Sequence, residues 1–249
     1  MMNIIGKFLK YKNIPAVLVF LFSAFTVSAQ IDYDTVNQTD GNGLKNGYWK
    51  KLNAKGMPTY TGYFNHGIPV GTFTYFYPDG ITKAKSKFSN NGKSTHTITY
   101  HHTGKMMSDG YYYDKKKDSL WRYYDNSGAL LKEEFYRNNM KEGIWKTYYG
   151  NGNVAEEIEY KADKKDGIWK IYYDDGTLKM EASNLNGERN GITTFYTPSG
   201  NIEISGHYES SLRTGEWFYY DEDGNLIKKE IYDKGRLIKT EKKSDMQKN

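Results

Sequence analysis

A chain of 249 residues ordinarily folds as one or two domains, and this one has no cysteine, which excludes disulfides and thiolate metal sites. The formal charge is +5; three lysines in the first 29 residues leave +2 on the remainder, and the stretch from Lys228 onward holds a surplus of four, so the body is slightly acidic. No broad basic face for nucleic acid can be built from that balance.

The N-terminus reads as a targeting segment. Lys7, Lys10 and Lys12 form a basic region with no acidic residue before position 30, and Ile14 to Val27 is a short apolar run. Val27-Ser28-Ala29 supplies the small residue that signal peptidase needs, which predicts cleavage between Ala29 and Gln30. The apolar run is shorter than the ~20 residues a spanning helix requires, so no stable membrane insertion is expected after cleavage. The expected location is the periplasm, the outer-membrane surface or the medium of a Gram-negative envelope.

From residue 47 the chain repeats itself every 24 residues. Trp49, Trp121, Trp145, Trp169 and Trp217 all fall in one register, and Gly56, Gly80, Gly104, Gly128, Gly152, Gly176, Gly200 and Gly224 mark the period without a break. Units begin at Gly47, Gly71, Thr95, Ser119, Gly143, Gly167, Gly191 and Gly215. Counting the first residue as offset zero, Trp is at offset two, an aromatic at offset five (Tyr124, Tyr148, Tyr172, Tyr196, Tyr220) and Gly at offset nine. Eight units in phase imply one supersecondary element stacked on itself.

Each unit reads as a β-hairpin. Trp145 to Tyr149 is aromatic and β-branched, as a strand should be. Pairs such as Asn151-Gly152 and Asp175-Gly176 follow and fit a turn whose Gly takes positive φ. A second strand runs through Leu130–Tyr136, Val154–Tyr160 or Leu226–Tyr232 and ends on an aromatic at offset seventeen, with Asn184 the exception. A polar linker such as Asp163 to Asp166 is expected to lead to the next unit. Tyrosine at 24 residues against five prolines suits this reading. The fold class is therefore all-β: an elongated antiparallel meander of about eight hairpins in one twisted or curled sheet. Offsets two and five have opposite parity, so either both faces carry aromatics or a kink turns one set. The units are unequal: Thr97 and Thr193 replace Trp, and Leu52 stands in the Tyr slot.

The segments GIWKTYYGNG, GIWKIYYDDG and GEWFYYDEDG resemble the MORN repeat in its bacterial variant form. Over residues 47 to about 238 the chain is similar to bacterial antitoxin components of the YwqK type. That resemblance implies a hairpin array that neutralises or docks a protein partner, with an antitoxin- or immunity-like role. A second resemblance, to choline- and glucan-binding wall repeats, implies a cell-wall glycan as the alternative partner, bound by aromatic stacking.

Catalysis and metal chemistry are weakly supported by these residues. His96, His101 and His102 cluster in the third unit, but His101 and His102 face opposite sides of a strand, and no carboxylate stands at ligand spacing in the sequence beside them. Glu133-Glu134 and Glu156-Glu157-Glu159 sit where cross-strand pairing with lysines is expected. Asp221-Glu222-Asp223-Gly224 imitates the start of a calcium loop but lacks the later Glu and occupies a hairpin turn. No catalytic residue, cofactor site or metal site is expected, and the chain reads as a non-enzyme. The expected organisation is a signal peptide over 1–29, an N-terminal cap over 30–46, the array over 47–238 and a charged tail over 239–249. If the offset-two Trp packs between hairpins, Trp169→Ala should cost ~3–5 kcal/mol.

Overall fold

A computed structural model describes residues 35–246. The proposed leader, with Ala29 and Gln30, lies outside the described residues. The array consists of β1 (Gly47–Leu52), β2 (Pro58–Asn65), β3 (Ile68–Phe76), β4 (Thr82–Ser89), β5 (Ser94–Tyr100), β6 (Met106–Tyr113), β7 (Lys116–Tyr124), β8 (Leu130–Arg137) and β9 (Met140–Lys141). It continues through β10 (Gly143–Tyr148), β11 (Val154–Lys161), β12 (Lys164–Tyr172), β13 (Leu178–Leu185), β14 (Glu188–Tyr196), β15 (Ile202–Glu209), β16 (Leu212–Tyr220), β17 (Leu226–Asp233) and β18 (Arg236–Lys242). A single helical turn, α1 (Lys243–Met246), follows. Each strand pairs antiparallel with the next in sequence; β9 and β10 are one strand interrupted at Glu142, and both pair with β8. The product is one open meander sheet.

Two kinds of turn alternate along it. Within each unit, the offset-nine Gly takes φ between +77° and +96° and donates its N–H to the carbonyl three residues earlier at 2.9–3.0 Å. This is the turn the Asp-Gly and Asn-Gly pairs predict. Between units the expected polar linker is absent. Its place is taken by two-residue turns with both residues at positive φ, such as Asn138-Asn139, Ala162-Asp163 and Ser210-Ser211, closed by the pairs Arg137↔Met140, Lys161↔Lys164 and Glu209↔Leu212. Lys164, Lys165 and Asp166 belong to β12 rather than to a connector. Turns with this handedness match the right-handed strand twist, so backbone geometry prevails over local residue preference.

A bulge follows each of these turns. The pairing of β6 with β7 slips between Asp109 and Tyr111, and the same slip recurs at later unit junctions. The unit's first residue takes positive φ there: Gly71 at +67°, Gly143 at +64°, Gly215 at +62°, and Ser119 at +61°. The third unit solves the count differently. Ser89 pairs with Ser94 across a four-residue loop, and β4 and β5 then pair without a slip, so Thr95 needs no left-handed backbone. The phase of the array is kept by either route.

The last strand extends the array. Arg236–Lys242 pairs along β17 from Asp233 back to Lys228, so residues 239–242, read from sequence as tail, are ladder. Before β1, Thr39 and Lys45 form an isolated bridge.

Both faces carry aromatics. Trp145 contacts Tyr136 at 5.1 Å between ring centroids, whereas Tyr148 donates its hydroxyl to Glu133 at 2.8 Å. Glu133 and Tyr136 stand on opposite sides of β8, so offsets two and five do as well. The Trp face holds the core: Phe73, Trp121, Ile158, Met180, Ala182 and Trp217 are buried. Ile144, Ile168 and Ile192 at offset one face the other way and are exposed.

Candidate functional site

The Trp face is assembled by a rule of sizes. Opposite each offset-two side chain, on the preceding strand, stands the offset-fifteen residue of the unit before. Where that residue is Gly, the ring lies on the backbone itself. A Cβ on Gly110 would come 2.1 Å from Trp121 Cδ2, and one on Gly206 would come 2.1 Å from Trp217 Cδ2. These two indoles are the most buried, at 2% and 0% exposure. Trp169 faces Ile158 instead, and Trp145 follows Glu134; both rings are only half-buried. Where offset two is Thr, the residue beneath is also small: Ser86 pairs with Thr97 and Ala182 with Thr193.

The bulge gives the indole nitrogen its partner. The offset-sixteen carbonyl lies beside the slip, and the next Trp donates to it: Trp121 Nε1 to Tyr111 O and Trp145 Nε1 to Phe135 O, each at 2.9 Å; Phe135 O also accepts from Glu142 N at 3.0 Å. Trp169 donates to the Glu156 carboxylate at 2.8 Å, and Trp217 Nε1 is buried without a partner.

A cation caps each ring. Two residues before the unit starts, Lys45, Lys117, Lys141, Lys165 and Arg213 lie 4.0–4.7 Å from the ring centres of Trp49, Trp121, Trp145, Trp169 and Trp217. This contact is favourable because the indole face is negative. The repeated cation was not singled out in the sequence; its signal is the basic residue four before each Trp.

Two buried carboxylates complete the pattern, 96 residues apart. Glu134 accepts from Lys132 Nζ at 2.6 Å and Tyr136 OH at 2.9 Å. Glu230 accepts from Tyr219 OH, from Lys228 Nζ at 2.9 Å and from Tyr232 OH at 2.9 Å. Burial alone raises a carboxyl pKa. The hydrogen bonds from Tyr219, Lys228 and Tyr232 outweigh it and hold Glu230 down at about 2; Glu134 is lowered in the same way. Burial also pushes the tyrosines up and lowers Lys117. The hydrogen bonds satisfy both carboxylates in the ground state.

The other face carries the expected cross-strand charge ladder. Arg122 pairs with Glu133 at 2.8 Å, Lys146 with Glu157 at 2.7 Å and Lys170 with Glu181 at 3.3 Å. Glu134, Glu156 and Glu159 depart from that expectation. Glu134 is buried among tyrosines, Glu156 takes the Trp169 indole, and Glu159 lies against the backbone at Ile168.

The histidines go to three separate places. His96 meets Asp109 from the adjacent strand, His101 bonds the Tyr124 carbonyl at 2.9 Å, and His102 stacks on Tyr77 with Asp79 at 3.7 Å. Carboxylates do lie beside two of them, brought by neighbouring strands that sequence spacing does not show. Asp221 closes its own turn by accepting from Asn225 N at 2.8 Å.

Removing a ring opens space. At Thr97 a cavity of about 330 Å³ is lined by Tyr75, Ala84, Ser86, Phe88, Tyr112 and Lys115. Near Thr193 a cavity of about 400 Å³ is lined by Lys165, Trp169, Asn184, Gly187, Arg189, Tyr208 and Ser211. Of the residues singled out in the sequence, Thr97 lines the first cavity and Trp169 and Asn184 line the second. Asn184 was visible as an exception but was not linked to Thr193.

Comparison with known proteins agrees with the repeat. Residues 117–138, 141–162, 165–183, 189–210 and 213–234 match the family described as MORN repeat variant. These boundaries begin on the capping cations Lys117, Lys141, Lys165, Arg189 and Arg213. No curated protein matches. Two solved structures bear a remote likeness, "Crystal Structure of TcdB2-TccC3" and "Crystal Structure of TcdB2-TccC3-Cdc42", each at 11% identity and with TM-scores of 0.24 and 0.22. The matches cover 81% and 80% of this chain but 14% and 12% of theirs. The five units from Lys117 to Lys234 thus match the MORN repeat variant, each as a hairpin of one continuous sheet.

Proposed function

We propose that the array is a non-catalytic protein-binding module, exported by its leader, and that the partner docks on the face opposite the tryptophans. MORN repeats are generally interaction modules. The observation that carries the reading is the row Ile144, Ile168 and Ile192, exposed by 54%, 42% and 63%. The three recur on alternate strands, roughly 10 Å apart. The Lys146–Glu157 and Lys170–Glu181 pairs lie beside them. Exposed isoleucines that alternate with Glu159, Ser183 and His207 on the paired strands, with charge pairs beside them, have the mixed make-up of a protein interface. An antitoxin- or immunity-like role is the finer form of this proposal.

The test is capture of a partner from envelope extract by the wild-type protein and by an Ile168→Lys/Ile192→Lys double variant. Both positions are exposed, so stability should change by less than ~0.5 kcal/mol at each, while capture is lost. Capture that survives the double variant would overturn the docking face. Retention on insoluble peptidoglycan with no protein captured would favour the glycan alternative.

A further inference from the structure

The seventh unit contains a site that the repeat pattern does not require. Two rings are missing from adjacent positions: Thr193 stands in the Trp slot, and Asn184 stands where the offset-seventeen aromatic belongs. The cavity they leave is lined by two cations. Lys165 Nζ lies 4.0 Å from the centre of the Trp169 ring, and the Arg189 guanidinium lies 5.1 Å from the same ring and 4.8 Å from that of Tyr208. Neither cation has a carboxylate within 4.0 Å among the described residues; the same is true of the capping Lys45, Lys117 and Arg213, but those three donate to tyrosine hydroxyls. Glu156 accepts from the Trp169 indole.

Asn184 adds a second, independent sign. It is 8% exposed, it lines the cavity, and its amide nitrogen has no hydrogen-bond partner. A buried unpartnered amide donor costs roughly 1–3 kcal/mol, and burying half-satisfied polar groups is rare without a use. Thr193 Oγ1, fully buried on the same strand pair, is also unpartnered.

We infer that this cavity binds a carboxylate side chain of an acidic, extended peptide segment. Two unpaired cations and an amide donor converge on one space, which is the donor set that a carboxylate accepts from. At about 400 Å³ the cavity suits one or two side chains. The Trp169 and Tyr208 ring faces are already covered by Lys165 and Arg189, which leaves no bare ring on which a sugar would stack. The equivalent cavity at Thr97 keeps a cation at the Arg189 position, Lys93, and is lined by Lys115, but Phe88 fills the Asn184 position and Pro69 the Lys165 position, so it has one of the two cations and no amide donor. This assignment concerns the Trp face and stands apart from docking on the isoleucine row.

The probe is a hexaglutamate peptide titrated calorimetrically into the whole protein, beside hexalysine and a hexagalacturonate. Saturable binding of hexaglutamate alone is expected, weakened at least tenfold by Arg189→Gln and by Asn184→Tyr. Lys87→Gln, an exposed lysine away from the cavity, should leave affinity within twofold. Absence of saturable binding, or equal loss in Lys87→Gln, would overturn the site. Preference for the galacturonate over the peptide would overturn the peptide assignment. A partner captured through Ile168 and Ile192 but indifferent to Arg189→Gln leaves the docking face intact and bears only on this proposal.

Discussion

The third and seventh units lack the same ring, and they are not alike. Thr97 meets Ser86 beneath it, and the two hydroxyls bond to each other at 2.9 Å. The polar atoms are satisfied, and the space above is apolar. Thr193 meets Ala182, its hydroxyl has no partner, and neither does Asn184 next to it. One ring deletion leaves a gap whose hydroxyls satisfy each other; the other leaves unmet donors beside cations that have no carboxylate. Losing an aromatic from a repeat therefore makes a cavity, but the residues at offsets fifteen, seventeen and twenty-two decide whether it has any chemistry.

The largest effect belongs to the ring that closes the seventh unit. Trp217 is fully buried on Gly206, so Trp217→Ala should cost ~3–5 kcal/mol in denaturant melts. Half-buried Trp169 should cost only ~1–2 kcal/mol, below the value expected from sequence, because less surface is lost. Equal costs would sink the size rule. The next effect is electrostatic. Glu230 is held at about 2 against an ordinary 4.5. A lowered carboxyl pKa contributes stability that is present above pH 4.5 and is lost as pH falls toward 2. Between those limits the wild type should lose on the order of 2–3 kcal/mol more than Glu230→Gln. Parallel acid titrations of the two proteins would remove Glu230 from the account.

A double-mutant cycle addresses the third unit. Thr97→Trp alone should destabilise, since it overpacks Ser86 and orphans its hydroxyl, by about 1–3 kcal/mol. Adding Ser86→Gly restores the ring-on-glycine arrangement and should recover at least ~1 kcal/mol of that; additive costs would contradict it. The smallest effect concerns backbone strain. Ser119 holds φ at +61° where six other units use Gly, so Ser119→Gly should stabilise by ~0.5–1 kcal/mol in thermal melts.

Much of this architecture was legible in the sequence. The period, the eight Gly turns and the strand pattern follow from Trp121, Trp145, Trp169 and Trp217 and from the Asp-Gly and Asn-Gly pairs. The turns between units are signalled by glycine at His66-Gly67, Asn186-Gly187 and Lys234-Gly235, but Ala162-Asp163 and Ser210-Ser211 carry no such signal, and sheet twist imposes the conformation there. Gly62, Gly110 and Gly206 were overlooked as partners of Phe73, Trp121 and Trp217, since a glycine inside a strand has meaning only when its cross-strand neighbour is known. The buried role of Glu134 was hidden for the same reason. Its neighbour Glu133 pairs across the strand as expected, and nothing local separates the two.

If the rings are structure, the space their absence leaves in the seventh unit is the site. Asn184→Tyr, which restores the aromatic that the other units carry, tests this with two readouts on one protein. Filling the cavity and removing the unmet amide should raise stability by about 1 kcal/mol while abolishing hexaglutamate binding. A variant that loses stability, or that gains it and still binds the peptide as wild type does, would contradict the claim.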